Sequence, residues 1–185
     1  MFKKNMLIVT LFCLATSLCF AQGRYFTRTG KIEISSKATM EDIDARNKTV
    51  TAVVDSKSGA LQFSVQMKGF EFEKSLMQQH FNDDYVESDK YPKGEFKGTI
   101  TNNSTIKYNI NGHYTAKVKG TLTIHGVTKN VETTGTIDVN GGKLDTKAVF
   151  NILLSDYKVK IPAMVKDKVS NSIKIVVDCH LEPLK

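Results

Sequence analysis

Residues 61–68 read Leu-Gln-Phe-Ser-Val-Gln-Met-Lys, with apolar and polar side chains in strict alternation. Successive side chains of a β-strand point to opposite faces, so the odd-numbered apolar residues of this run share one dry face. The phase changes after Gly69, because Phe70 and Phe72 are the apolar positions of the next run. A glycine between two runs of opposite phase predicts a β-bulge at Gly69. The alternative is that the strand simply ends there.

The same period-two pattern extends along the chain and predicts further strands at residues 26–35, 49–55, 94–100, 105–111, 115–124, 130–139, 143–154 and 172–181. Val, Ile and Thr make up 43 of the 164 residues after position 21, which favours strands. Turn-forming pairs such as Asn111-Gly112 and His125-Gly126 separate the runs. Short links join antiparallel neighbours, and about eight strands suffice to close a small barrel. We therefore predict an all-β fold, an antiparallel β-barrel of about eight strands.

One helix interrupts this pattern. Ser75-Leu76-Met77-Gln78 matches a capping box, and Met77, Phe81 and Tyr85 follow at four-residue spacing. The sequence predicts a short amphipathic helix that lies on the sheet and ends by residues 89–92. Tyr85 and Tyr91 either close over the mouth of the barrel or pack the helix.

The N-terminus resembles an export signal. Lys3 and Lys4 precede an uncharged apolar stretch, residues 6–20, which ends at the small Ala21. This pattern predicts a signal peptide over residues 1–21 and a barrel domain over residues 22–185, with the protein periplasmic or secreted. A retained membrane anchor, or a lipid attached at Cys19, is the alternative. No later run is long enough to span a membrane as a helix, so no integral membrane segment is expected after cleavage.

Charge and cysteine content limit the function classes. Without Lys3 and Lys4 the chain has 24 basic and 19 acidic residues, a net charge of +5. The basic residues are scattered without a run of five, which indicates a solvated surface and no nucleic-acid partner. Cys179 is the one cysteine left after cleavage, so no internal disulfide is possible.

Catalytic motifs are missing from the sequence. It contains no Gly-x-Ser-x-Gly, His-Glu-x-x-His, Cys-x-x-Cys or glycine-rich phosphate loop. Strand parity places Cys179 in an apolar stripe and His180 on the opposite, wet face. The acidic residues at 41–44 and 82–84 lack calcium-loop spacing and are expected to be solvated. We predict no catalytic residues, no metal site and no cofactor, and an esterase-like or antioxidant enzyme is the least favoured class.

Three stretches resemble one family in order and spacing: residues 76–98, which run from Leu-Met-Gln-Gln-His-Phe to Tyr-Pro-Lys-Gly-Glu-Phe-Lys-Gly; residues 120–129, Gly-Thr-Leu-Thr-Ile-His-Gly-Val-Thr-Lys; and residues 150–175. Over roughly residues 62–184 the chain resembles the YceI-like family of exported lipocalin-type proteins. It departs from the family in having no tryptophan and in the step before the helix, residues 70–75. The resemblance implies an extended lipocalin-like barrel, capped by a short helix, that holds an isoprenoid or similar amphiphilic chain in the periplasm without catalysis.

The expected ligand is a polyprenyl lipid, an isoprenoid quinone or a long acyl chain. The side chains expected to line the barrel and contact this ligand are Leu61, Phe63, Val65, Phe70, Phe72, Phe81, Phe96, Leu122, Ile124, Phe150, Ile152, Ile175 and Val177. Lys158 and Lys160 are either near a charged head group or, as the stronger interpretation, surface lysines. The alternative function is an interaction or structural module of the cell envelope, whose barrel is filled by its own side chains. The sequence leaves the oligomeric state open, a homodimer included.

Overall fold

The structure is a computed structural model that describes residues 23–184, mostly as strands. The strands are β1 (Arg24–Lys37), β2 (Asp42–Asp55), β3 (Ala60–Gln66), β4 (Glu71–Phe72), β5 (Lys93–Ile100), β6 (Gly112–Ile124), β7 (Val127–Asn140), β8 (Lys143–Leu153) and β9 (Ser172–Pro183). The helix α1 (Ser75–His80) continues into a π-helical turn, Phe81–Tyr85, and 3-10 turns lie at Met67–Gly69, Asn103–Thr105, Leu154–Tyr157 and Ala163–Val165. The predicted signal peptide, residues 1–21, lies outside the described residues.

Eight of the strands close into an antiparallel barrel. Around the barrel the order is β1, β2, β3, β5, β6, β7, β8 and β9, and β9 pairs back with β1. The two-residue strand β4 extends the ladder on β2 beyond the end of β3. The predicted all-β barrel of about eight strands with one short helix is therefore confirmed.

Two-residue turns join β6 to β7 and β7 to β8, at opposite ends of the barrel. Ile124 pairs with Val127, which leaves His125 and Gly126 as a two-residue turn with φ of 52° and 70°. Positive φ at both central residues is the geometry of a type I′ turn, whose twist matches that of the flanking strands. Gly141 and Gly142 connect β7 to β8 in the same way.

The wall is not hydrogen-bonded all the way round. Strands β7 and β8 pair only between Gly135–Asn140 and Lys143–Ala148. Outside these two ranges, β7 is hydrogen-bonded to β6 alone and β8 is hydrogen-bonded to β9 alone. We call this unpaired stretch, between residues 127–134 and 149–153, the β7/β8 seam. The buried Tyr157 and Val159 pack beside it against the half-buried Val127 and Val131.

Two strand predictions need correction. Residues 105–111 form a loop after the Asn103–Thr105 turn instead of a strand. Ile106 is buried in the end of the barrel and the Tyr108 hydroxyl donates to Asn103 Oδ1 at 2.8 Å, so these two residues plug the barrel end while Ile110 stays half exposed. Strand β2 begins at Asp42, seven residues before the predicted start, because two of its inward positions hold the small Ala45 and the polar Asn47, which hide the alternation.

The predicted bulge at Gly69 is also wrong. Strand β3 ends at Gln66, and a 3-10 turn over Met67–Gly69 leads to β4. The fully buried Asn47 holds this interruption, since its Nδ2 donates to the Gln66 carbonyl oxygen at 2.9 Å. A Cβ at position 69 would lie 2.8 Å from Asn47 Nδ2, so the glycine allows the close approach instead of marking a bulge.

The predicted capping box does not form. Ser75 is already the first helical residue, Lys74 occupies the N-cap, and no side chain caps the helix. A residue inside the first turn has lost the extended backbone that lets an N-cap hydroxyl reach an amide. Gln78, the other member of the proposed box, instead accepts from the Phe72 amide at 3.4 Å.

The interior divides into a filled half and a hollow half. At the end that holds the β2–β3 and β7–β8 turns, a dense cluster closes the barrel; its buried members are Ala52, Val54, Leu61, Ile100, Ile106, Ala116, Ile137, Val139, Leu144, Cys179 and Leu181. Towards the other end, two further clusters line the wall around open space. The filled half forms the floor of a cavity.

Candidate functional site: an apolar cavity in the barrel

A cavity of about 580 Å³ lies above this floor and inside the barrel wall. Thirteen side chains were expected to line the barrel, twelve on alternating strands and Phe81 on the helix, and all thirteen line the cavity: Leu61, Phe63, Val65, Phe70, Phe72, Phe81, Phe96, Leu122, Ile124, Phe150, Ile152, Ile175 and Val177. That they contact a ligand stays a prediction.

The sequence reasoning missed part of the lining. Ile32 and Ile34 of β1 alternate as clearly as the predicted residues, so the signal was present in the sequence. Ile43 lies on the portion of β2 that was not predicted to be a strand. The loop after β8 contributes Tyr157 and Val159, for which no periodic pattern exists.

Aromatic side chains shape the floor and the mouth. Phe63 and Phe96 meet edge to face at 6.5 Å between ring centroids and pack against the closed end. At the mouth, the ring centroid of Phe81 lies 5.5 Å from that of Phe70 and 5.0 Å from that of Phe72. These contacts hold the helical segment against the wall. Edge-to-face pairs of this kind add ~0.5–1.5 kcal/mol beyond the area that they bury.

A group of charged side chains lies at the mouth of the cavity. Lys74 Nζ donates to Glu41 Oε1 at 2.8 Å, and both residues line the opening, together with His80 and Lys168. The hydrogen bond from Lys74 is the main reason that the pKa of Glu41 lies below its usual value. Deeper in the cavity the lining is mostly apolar, with a few polar residues such as Thr136 and Thr146. A mostly apolar interior with a charged opening suits a chain with a polar head.

Comparison with protein families agrees with this architecture. The model of the YceI-like domain matches residues 22–181. The chain belongs to the YceI-like family. No curated protein is significantly similar to it.

Solved structures show the same fold. A polyisoprenoid binding domain from Saccharophagus degradans, implicated in plant cell wall breakdown, superimposes with a TM-score of 0.77 at 13% identity, over 88% of this chain and 99% of that one. Burkholderia cenocepacia BcnA gives 0.67 at 21% identity, over 82% and 94%. The Campylobacter jejuni YCEI protein gives 0.56 at 20% identity, over 74% and 82%.

His125 lies outside the cavity and connects the β6–β7 turn to two other segments of the chain. Its Nε2 lies 2.5 Å from Glu87 Oε2 and its Nδ1 lies 3.1 Å from the Tyr157 carbonyl oxygen. Both partners are acceptors, so both hydrogen bonds form at once only when both ring nitrogens carry a hydrogen. The hydrogen bond from His125 is the main cause of the lowered pKa of Glu87.

The two tyrosines near the helix have different roles. Tyr85 lines the cavity, and burial raises the pKa of its hydroxyl. Tyr91 packs edge to face on His125, with ring centroids 4.8 Å apart, and does not line the cavity. A Cβ on Gly126 would lie 2.5 Å from the Tyr91 ring, so the glycine of the turn makes room for this contact.

Candidate catalytic groups are not assembled. Cys179 is buried in the closed end, and burial raises the pKa of its thiol to about 11, where it is a poor nucleophile. His180 lies on the opposite, exposed face, as strand parity predicted. Its Nδ1 is 2.6 Å from Asp145 Oδ1. Within residues 23–184, no three His, Cys, Asp or Glu side chains gather to form a metal site.

The remaining residues singled out in the sequence lie on the surface. Lys158 and Lys160 are exposed on either side of the buried Val159. The carboxylates of Asp83 and Asp84 are also exposed. In the part of the chain that the structure describes, no helix has the length and hydrophobicity needed to cross a membrane.

Proposed function

We propose that this YceI-like protein is an exported binding protein that holds an amphiphilic apolar chain inside its barrel and performs no catalysis. The ligand is an isoprenoid lipid, a quinone or a fatty acyl chain. The observation that carries the proposal is the hollow half of the barrel, a cavity of about 580 Å³ with an apolar lining and a polar mouth.

Burial supplies the affinity for such a ligand. Each methylene that moves from water into the cavity contributes ~0.8 kcal/mol before the costs of association. Ten buried carbons therefore contribute about 8 kcal/mol before those costs, and each further carbon raises the net affinity. Similarity in fold to a polyisoprenoid binding domain supports an isoprenoid among the ligands.

Two alternatives fit the site less well. A structural module with a filled barrel would leave no cavity, whereas open space lies between the Phe63–Phe96 floor and the mouth. An enzyme would need a nucleophile beside a base, and Cys179 and His180 point to opposite faces.

The export proposal rests on the N-terminal sequence. The basic residues before position 6, the apolar stretch over 6–20 and the small Ala21 have the layout of a cleaved signal. We propose a periplasmic or secreted location. Intact mass of protein from the periplasm of an expressing cell checks it: a mass that still includes residues 1–21 would contradict cleavage.

The ligand proposal is tested by organic extraction of the protein purified from an expression with its own N-terminus. Mass spectrometry of the extract should detect one lipid class at close to one molecule per chain. A protein heated and refolded without lipid should then bind an added fluorescent fatty acid or polyprenol. An empty extract together with failure to bind any added chain would overturn the proposal.

A further inference from the structure

The most exposed large apolar side chains lie at one end of the molecule. Among the described residues, Met164 is 95% exposed, Met40 70% and Leu76 61%, and every other large apolar side chain is less exposed. Single exposed apolar residues are common on protein surfaces. Three such residues grouped around the opening of an apolar cavity indicate a site of interaction with a partner.

Contacts between three segments bring these residues together. The Met40 amide in the β1–β2 turn donates to the Asp167 carbonyl oxygen at 3.0 Å, next to the Ala163–Val165 turn that carries Met164. Glu41 in the same β1–β2 turn accepts from Lys74, the N-cap of α1, and Leu76 lies in the first turn of that helix. Three segments of the chain therefore each contribute one exposed apolar residue to the mouth. We call Met40, Leu76 and Met164 the apolar rim.

The charge around the apolar rim is positive overall. Two carboxylates of the rim are paired, Glu41 with Lys74 at 2.8 Å and Asp42 with Lys37 at 3.9 Å, and the exposed Glu73 lies beside Lys74 in the chain. In contrast, the segment 158–168 exposes four lysines against the single carboxylate of Asp167. Within the described part of the chain, no ion pair within 4.0 Å involves any of the four, which are Lys158, Lys160, Lys166 and Lys168.

We infer that the apolar rim docks the protein on the surface of an anionic lipid bilayer. Exposed apolar tips enter the boundary between head groups and acyl chains, while flanking lysines are attracted to anionic head groups. A second copy of the chain would bring two unneutralised lysine segments face to face, which argues against self-association through this end. The mouth of the cavity would then open towards the membrane.

This inference rests on the proposed function only in that membrane lipid is the source of the bound chain. Docking and binding in the cavity are separate events with separate readouts. The first is measured by the protein that sediments with vesicles, and the second by the lipid that stays with the protein in solution.

The test is cosedimentation of the full mature protein with vesicles of phosphatidylcholine, with or without roughly one quarter phosphatidylglycerol. Anionic vesicles should bind at least tenfold more tightly, and high salt should abolish the difference. Each lysine near an anionic surface is worth about fivefold in affinity, so Lys166→Glu with Lys168→Glu should weaken binding ~25-fold or more. Met164→Ser should weaken binding to anionic vesicles as well.

Matched controls lie at the opposite end of the barrel. Lys107 and Ile110 belong to the loop between β5 and β6, and Ile110 is half exposed. Lys107→Glu and Ile110→Ser should leave vesicle binding unchanged. All variants should keep the wild-type unfolding temperature, because the substituted side chains are exposed.

Equal binding to both kinds of vesicle, or loss of binding in the controls as large as in the rim variants, would overturn the inference. Self-association that Met164→Ser abolishes, without any vesicle binding, would overturn it in favour of a dimer. If vesicles are not bound but the purified protein retains lipid, the docking surface fails while the proposed function stands.

Discussion

Replacing Ala148 with phenylalanine should shorten the longest chain that the cavity accepts. Ala148 lies on β8 beside Phe150 on the inward face and lines the cavity. The substitution adds six carbon atoms to the lumen. A cavity of about 580 Å³ holds roughly 19 methylene groups if each occupies ~30 Å³, the volume that one water molecule takes up in the liquid. The variant should therefore saturate near 13 groups.

The reasoning predicts how the dissociation constant changes with the length of a fatty acid chain. In the wild type, each carbon added to a saturated fatty acid should tighten binding about fourfold until the cavity is full. In Ala148→Phe an 18-carbon acid leaves about five more methylenes in water, so it should lose up to ~4 kcal/mol, close to a thousandfold in Kd. A 10-carbon acid should bind both proteins equally.

The assay is displacement of a fluorescent fatty acid by saturated acids of 10 to 20 carbons. Val149→Phe is the matched control, because Val149 is the next residue on β8 and its side chain is exposed outside the barrel. The dissociation constants of Val149→Phe for the acids of 10 to 20 carbons should match those of the wild type. If Ala148→Phe binds 18-carbon acids as tightly as the wild type does, the chain does not lie in this lumen. An equal loss for 10- and 18-carbon acids would also contradict the reasoning.

Three further outcomes are expected. Gly126→Ala should lower the free energy of unfolding by about 2–4 kcal/mol, because it combines a left-handed φ with a Cβ 2.5 Å from a tyrosine ring. Gly141→Ala, with the same sign of φ and open space around it, should lose only about 1 kcal/mol; equal losses in denaturant melts would remove the steric argument. The lowered pKa of Glu87 means that its bond to His125 adds stability above the ordinary value of 4.5, and that this stability is lost as the pH falls through the lowered value. Urea melts from pH 6 to 3 should show this loss, and Glu87→Gln should lose less stability than the wild type over the same range. The thiol of Cys179, with a pKa of about 11, should resist a disulfide reagent at pH 8 until the protein is unfolded; fast labelling of the native state would show that it is not buried.

The barrel and its inward face could be predicted from the sequence because both depend on a local rule. Alternation fixes which side chains share a face, and closure of the sheet brings those faces together whatever the loops do. Phe63 on β3 and Ile175 on β9 were therefore assigned to the same lumen without any knowledge of their contacts. This prediction is insensitive to errors of a few residues in the positions of the strand ends.

The parts that were missed depend on long-range contacts. The 3-10 turn at Gly69 is held by the buried Asn47, nineteen residues before its partner Gln66, and no local pattern records that bond. Ile106 alternates with its neighbours as a strand residue would, but packs into the closed end of the barrel. The mouth loop that presents Met164 has no period at all, so the apolar rim became visible only once the segments were placed together.

The β7/β8 seam has a mechanical consequence. A complete ring of ladder hydrogen bonds fixes the circumference of a barrel, so that widening it means breaking backbone bonds. Along the seam only side chains such as Tyr157 and Val159 fill the space between the strands, and these can slide without such a loss. We therefore expect the hollow half to widen at a lower cost in backbone hydrogen bonds than the filled half, in which β7 and β8 are paired. If the barrel binds a ligand as proposed, such a wall would accept both a bare hydrocarbon tail and one that carries a flat ring.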